Sequence, residues 1–404
     1  MIKSIYIDNF KALNNARIPF TPFTMLIGNN SVGKTTVLQA IAFLKYCCTS
    51  YLKIFMSERN LAVTDICSKF SNKRNLVFET ELTFGEKTII WSIEITAEKF
   101  RNQFSLSNEK VKIGDTVVLA YGYGKAFRLN AVTGERDSIM EAEYDGSIIR
   151  FVDVEKDAQK YPELVAIKKF FLDTEALDLL SPTAMKGTSQ GESEMIGLSG
   201  EKLGSFIKRL SATERDLLTQ DIQKFIAPFS AVVPKTKRYG WVHLEAKENY
   251  GGKTIDVSSS NISDGILRII ALCSLRFLNN PNGAILLDEI EDGINNEHLE
   301  LLVQVLQQIQ AEKNVQIIAT THNTVLLDYW IDKKDVALEE TQDEKSLPAS
   351  IIFLFRNKAG GVIAKNIFSS SVVRDKLSYM FPGEIVLNMT NSQLQKALSE
   401  GDEP

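Results

Sequence analysis

The sequence predicts an α/β protein with a mainly parallel core sheet, an antiparallel β subdomain and an inserted helical subdomain. Three observations carry that prediction. A strand, a glycine turn and a helix follow one another before residue 48. Strands and helices alternate from about residue 260 onward, as in a parallel sheet. Between 75 and 152 the pattern changes to short segments that alternate with a period of two.

The N-terminal lobe, 1–48, opens on "MIKSIYIDNF", which alternates like a strand and does not resemble a signal peptide. "FTMLIG" reads as a buried strand, and in "TTVLQAIAFLKYC" Val37, Leu38, Ile41, Ala42 and Leu44 lie on one helical face. Between them "GNNSVGKTT" (28–36) fits G-x-x-x-x-G-K-[ST], in the strand–turn–helix context that gives the motif meaning. Gly28, Asn29, Asn30, Ser31, Val32 and Gly33 would turn their backbone around phosphate oxygens, at the positive end of a helix dipole. Lys34 would reach the β- and γ-phosphates, the Thr35 hydroxyl would sit on Mg²⁺, and Thr36 completes the loop.

"NLVFETELTF", "KTIIWSIEIT", "TVVLAYGYGKAFRL" and "SIIRFVDV" make 75–152 an antiparallel β subdomain. Residues 158–230 read as a helical insertion broken by the Gly/Ser-rich loop "KGTSQGESEMIGLSG". A C-terminal lobe over 240–370 begins with the strands "GWVHLEAKE" and "KTIDVS" and ends with the pair "ASIIFLFRN" and "GVIAKNIF". Residues 371–404 read as a polar tail.

Three stretches of the C-terminal lobe carry chemistry. "AILLDEIEDGIN" is an apolar strand ending in Asp288 and Glu289. An acid at a strand end beside a phosphate loop holds Mg²⁺, and the next acid would polarise the attacking water. Glu291 is a second acid within reach, so the identity of the base stays open between Glu289 and Glu291. "VQIIATTHN" ends a second strand at His322, where a γ-phosphate contact would sit. In "SSSNISDGILRII", Ser263, Asp264 and Gly265 open a helix. That start is either an ordinary cap or an anion site for ATP held by another subunit.

With these motifs in order, the chain resembles ATPases with an ABC-type head, of the SMC/RecF/OLD group, and within it the shorter AAA-family proteins of bacterial antiphage-defence and toxin-like systems. "IKSIYIDNFKALNNARIPFTPFTMLIGNNSVGKTTVLQAI" looks like their N-terminal strands and Walker A, and "NISDGILRIIAL" like their signature. "ILLDEIEDGIN" looks like Walker B and D-loop, "ATTHNTVLLD" like the H-loop, and "GLSGEKLGSFIKRLSATERDLLTQDIQKFIAPFSAVVPK" like their helical segment. The resemblance implies a head-to-tail homodimer with two ATP molecules between Walker A of one subunit and the signature of the other. Ser263 and Gly265 would then act in trans, and His322 would contact the γ-phosphate. "SDG" stands where Ser-Gly-Gly is usual, and "HN" where His-Ser-Pro is common.

Bulk properties narrow the function classes. The chain is 44% hydrophobic and 24% charged, ordinary for a soluble globular protein. A net charge of −5 gives no global attraction to nucleic acid. No apolar run has the length of a membrane span, and four cysteines without a C-x-x-C pair suggest a reduced, cytoplasmic setting. The acids of "DKKDVALEETQDEK" read as a solvated loop and not as a nuclease cluster. The leading expectation is an ATPase that controls a separately encoded effector, a nuclease or toxin. A second reading is a RecF-like DNA-binding ATPase using Lys168, Lys169, Lys208, Arg209, Lys235, Lys237 and Arg238 on phosphates. A third is an ATP-bound scaffold with negligible turnover.

Overall fold

Strands β1 (Ile2–Asp8) and β2 (Ala16–Pro19) form an antiparallel pair before the fully apolar β3 (Phe23–Gly28). This computed structural model describes residues 1–140, 142–178, 180–279, 282–331, 347–358 and 360–399. The helix Lys34–Thr49 follows β3 directly, through the glycine turn. Next come β4 (Asn75–Phe84), β5 (Lys87–Glu98), β6 (Gln103–Ile113), β7 (Thr116–Gly122), β8 (Lys125–Leu129) and β9 (Arg136–Ser138). They pair in sequence order as an antiparallel meander, and β1 and β2 extend the same sheet beyond β4. Burial alternates strictly along β4 and β5, so one face packs on the core and the other meets water.

The segment expected to be helical, 158–230, is only partly so. Its helices Pro162–Leu172, Leu203–Arg209 and Ala212–Gln223 are interrupted by β10 (Glu175–Leu177) and β11 (Ser189–Gln190), and β12 (Phe229–Thr236) already begins at its end. β12 pairs with β13 (Trp241–Tyr250), which also carries β11 and β14 (Lys253–Ser258). The helices Asp264–Ser274 and Leu299–Lys313 flank β15 (Ala284–Leu287). After them come β16 (Gln316–Thr320), β17 (Ala349–Arg356) and β18 (Val362–Asn366).

The core sheet has the order β10-β15-β16-β3-β17-β18, parallel throughout except for β18. Alternate residues of β3 serve the two faces: Met25 and Ile27 join one apolar core, Leu26 the other. Burial on both faces explains why these strands read as continuous apolar runs. The Lys34–Thr49 helix and the antiparallel sheet cover one face; the helices Leu203–Arg209, Asp264–Ser274 and Leu299–Lys313 cover the other.

The expected polar tail is instead three helices, Ser371–Leu377, Pro382–Asn388 and Asn391–Ser399, with Val373, Ile385, Leu394 and Leu398 buried in the core that Met25 and Ile27 share. Its polarity lies on the outward faces of amphipathic helices. The acidic stretch 332–345 lies outside the described residues. No helix among the described residues is long and apolar enough to cross a membrane. All four cysteines are buried free thiols.

Candidate active site

β3 delivers the phosphate loop at the C-terminal end of the sheet, where parallel α/β folds place their ligands. Two glycines are required there by shape. Gly28 has φ 143° and presses on β17, so that a Cβ would stand 2.3 Å from the Leu354 carbonyl oxygen. Gly33 has φ 118° at the start of the following helix, 3.0 Å from Leu13 by the same measure. Arg356, at the end of β17, donates to the carbonyls of Ala12 (3.0 Å) and Ser31 (3.4 Å) and so braces the loop from outside.

Lys34 is buried, and its Nζ donates to the Gly28 carbonyl at 3.0 Å and the Asn29 carbonyl at 3.3 Å. Burial pulls its ammonium below the ordinary lysine range, while Asp288, Glu289 and Glu291 act in the opposite direction. The Thr35 hydroxyl donates to Asp288, with Oδ1 at 3.1 Å and Oδ2 at 2.9 Å. Burial lifts the Asp288 carboxyl above its usual range, against the lowering effect of the Thr320 and Thr35 hydroxyls. A carboxylate and a hydroxyl meeting in this way form the hard oxygen pair that suits Mg²⁺.

β16 lies between β15 and β3 and joins the two halves of the site. Thr320 at its end donates to Asp288 Oδ1 (2.5 Å) and accepts from the Glu289 backbone N–H (2.8 Å). Glu289 has φ 45°, a left-handed conformation uncommon for a side chain of its size. Its Oε1 stands 3.4 Å from His322 Nε2, with the two side chains 52% and 41% exposed and therefore open to a ligand. Glu291 faces elsewhere: its Oε1 accepts from the His322 backbone N–H at 2.7 Å, which ties the acid loop to the histidine loop.

A cleft of about 670 Å³ opens between these groups. Asn30, Ser31, Gly33, Lys34, Thr35 and Thr36 line it on the loop side, with Glu289 and His322 alongside. Two loop residues turn away: Val32 is buried in the apolar core, and Asn29 is hydrogen-bonded to Asn391 of the last helix. Asn29, Gly28 and His322 line a second cavity of about 450 Å³ whose far wall includes Val386, Leu387 and Met389.

Ser263, Asp264 and Gly265 are not among the cleft-lining residues. Ser263 caps its helix by accepting from Ile266 N at 3.3 Å, and Asp264 pairs with Lys186 at 2.7 Å. Arg268, one turn on, donates to the Asp292 carboxylate (2.6 Å) and to the Glu289 carbonyl (3.3 Å), bolting this helix onto the acid loop. Three of the seven basic residues of the DNA-binding reading are engaged within the fold. Lys168 donates to the carbonyls of Arg150 and Val152, Arg209 donates to that of Phe277, and Lys235 lies 3.6 Å from Glu245.

Sequence reasoning singled out neither Thr320, Arg356 nor Arg268. The only signal was the "TTH" run, in which a strand-end threonine looks like any β-branched residue.

A family model described as "AAA domain, putative AbiEii toxin, Type IV TA system" matches residues 23–328, well over half of the chain. The chain belongs to this AAA-domain family. Two curated relatives extend the likeness. The Septu protein PtuA of Bacillus mycoides (strain KBAB4) is 21% identical over 366 residues, 85% of this chain and 41% of that one. An ATP/GTP phosphatase of Helicobacter pylori (strain ATCC 700392 / 26695) is 22% identical over 351 residues, 83% of this chain and 90% of that one. The AAA-domain chain thus spans about two-fifths of the length of PtuA. Among solved structures, the SmcHead bound to the C-winged helix domain of ScpA superposes with a TM-score of 0.55 at 14% identity, covering 90% of this chain and 97% of that one. The fold is that of an ABC-type, SMC-like ATPase head.

Proposed function

We propose that this AAA-domain protein binds and hydrolyses ATP, closes as a dimer around it, and through that closure regulates a separate effector in antiphage defence. The observation that carries the reading is the convergence of Lys34, Thr35, Glu289 and His322 on one cleft, with Asp288 held behind Thr35. Lys34 offsets phosphate charge. Thr35 and Asp288 would hold Mg²⁺, which when bound supplies positive charge against the triphosphate. Glu289 takes the proton of a water whose oxygen forms the new bond to the γ-phosphorus. The bond from that phosphorus to the bridging oxygen breaks, and ADP leaves with that electron pair. His322, beside Glu289, orients the γ-phosphate. Glu289 is preferred to Glu291 as the base because Glu291 is engaged by the His322 backbone.

The dimer rests on a separate point: Ser263 and Gly265 lie outside their own cleft, so any contact they make with ATP would come from a second subunit. An outlet for the signal is available in the tail, where Leu387 is exposed on the helix Pro382–Asn388 beside the His322 cavity, and Tyr379 and Phe381 are exposed in the turn before that helix. The family's description and the PtuA relative favour a defence-type setting over repair. The engaged lysines weigh against the DNA-binding reading. Phosphate release together with sedimentation, with and without Mg·ATP, tests the proposal. A wild-type chain that binds ATP but neither hydrolyses it nor changes mass would return the reading to the scaffold.

A further inference from the structure

The Thr320 hydroxyl hydrogen-bonds both the Asp288 carboxylate and the backbone of Glu289, and it stands on the strand between those acids and the phosphate loop. A hydroxyl has a single proton, and here it goes to Asp288 Oδ1, while one of the oxygen's two lone pairs receives the Glu289 N–H. The neighbouring backbone repeats the connection, since Ile290 N donates to the Thr320 carbonyl at 3.3 Å. Thr320 is fully buried, so water does not compete for either bond. Thr35, the other donor to Asp288, is also the hydroxyl expected on the metal, which leaves Thr320 as the donor dedicated to that carboxylate.

We propose that Thr320 is a positioning residue for the ATPase reaction: its hydroxyl orients Asp288 toward Mg²⁺ and holds Glu289 in its left-handed turn, aimed at the attacking water. This rests on the ATPase reading above. Thr320 is buried and does not line the cleft. It acts through the two acids, and a residue of this kind changes metal affinity and turnover more than nucleotide binding. Serine preserves the bonding. Valine keeps the shape, leaves the Glu289 N–H without its acceptor and frees the Asp288 carboxylate to turn.

The test compares Thr320→Val, Thr320→Ser and wild type by three measurements: ATP affinity in EDTA, the Mg²⁺ concentration that half-saturates Mg·ATP binding, and kcat. For Thr320→Val the expected result is metal-free affinity within about twofold of wild type, a Mg²⁺ requirement raised about tenfold and kcat lowered about a hundredfold. Thr320→Ser should lie within about threefold of wild type on all three. A merely structural role would lower the melting temperature of Thr320→Val without moving its Mg²⁺ requirement or its kcat per folded molecule. That result, or a serine variant as defective as valine, overturns the proposal. If valine does not fold, Thr320→Ala carries the same comparison. The Mg²⁺ arm decides the matter even if wild type shows no turnover, and in that case it is the hydrolytic reading that fails.

Discussion

Gly265 and Gly293 meet backbone to backbone: a Cβ on Gly265 would stand 2.2 Å from the Gly293 carbonyl oxygen. The helix opened by Ser263 is therefore seated on the loop that follows Asp288 and Glu289, and Arg268 fastens the contact through Asp292. An ATP bound by Ser263 from a second subunit would press, through this seat, on the acids of the first.

Gly265→Ala forces those backbones apart. Overpacking of this kind costs about 1–3 kcal/mol, so the melting temperature should fall by several degrees. ATP binding to the isolated subunit should persist, because the cleft does not include residue 265. ATP-induced dimerisation, followed by sedimentation, should be lost. A variant that dimerises normally would show that this seat does not matter.

Lys34→Ala and Glu289→Gln should separate binding from chemistry. The first removes the cation on the loop and should abolish nucleotide binding, measured by calorimetry. The second keeps shape and hydrogen bonding but removes the proton acceptor, so it should bind ATP, hydrolyse it at least about a hundredfold more slowly, and accumulate as the dimer. Glu291→Gln should leave more activity than Glu289→Gln, since an amide oxygen still accepts from the His322 N–H. The reverse order would move the base assignment to Glu291.

Ser263→Arg should leave nucleotide binding by the monomer intact while blocking dimerisation. Mixed with Lys34→Ala it gives a sharper result. In a head-to-tail dimer one composite site carries both lesions and the other neither, so part of the turnover should return on mixing. Two inactive proteins that stay inactive together, although they associate, would argue against sites shared between subunits.

Stability should depend on pH through Glu109. This carboxyl is fully buried, and burial pushes it up to about 7 even though Ser147 Oγ, Ile148 N and Trp91 Nε1 all donate to it. In the unfolded chain it ionises near the ordinary glutamate value of 4.5. The unfolded state therefore releases this proton first, and the contribution of Glu109, fully present below that value, is lost as pH rises toward 7. Above that, both states are ionised and the slope vanishes. The span amounts to about 3 kcal/mol at most. Chemical denaturation at stepped pH should show the decline, and Glu109→Gln should remove its slope. That variant should also be less stable at low pH, because its amide cannot accept from every donor that Glu109 satisfies.

The elements legible in the sequence were those whose signal is local. The loop 28–36 announces itself by glycines needed at fixed positions, and β15 and β16 by apolar runs ending in Asp288 and His322. β10 was not legible because three residues carry no usable period, and β12 because Pro234 interrupts it. The tail helices escaped because their buried residues are sparse, as in Leu394 and Leu398 within "NSQLQKALS". Thr320 and Arg268 gain their interest only from partners distant in the chain, Asp288 and Asp292, and spacing along a sequence does not encode such distances.

The placement of β3 also has a consequence for synthesis on the ribosome. It ends at Gly28, yet both of its sheet neighbours arrive late, β16 from Gln316 and β17 from Ala349. For most of translation an apolar strand with two open hydrogen-bonding edges has to be kept from pairing wrongly, the condition in which nascent chains aggregate or recruit chaperones. A truncated chain lacking β16 would carry every residue of the phosphate loop and still lack the strand that joins it to the acids. Premature termination should therefore yield an insoluble product, and not a protein that holds ATP without control.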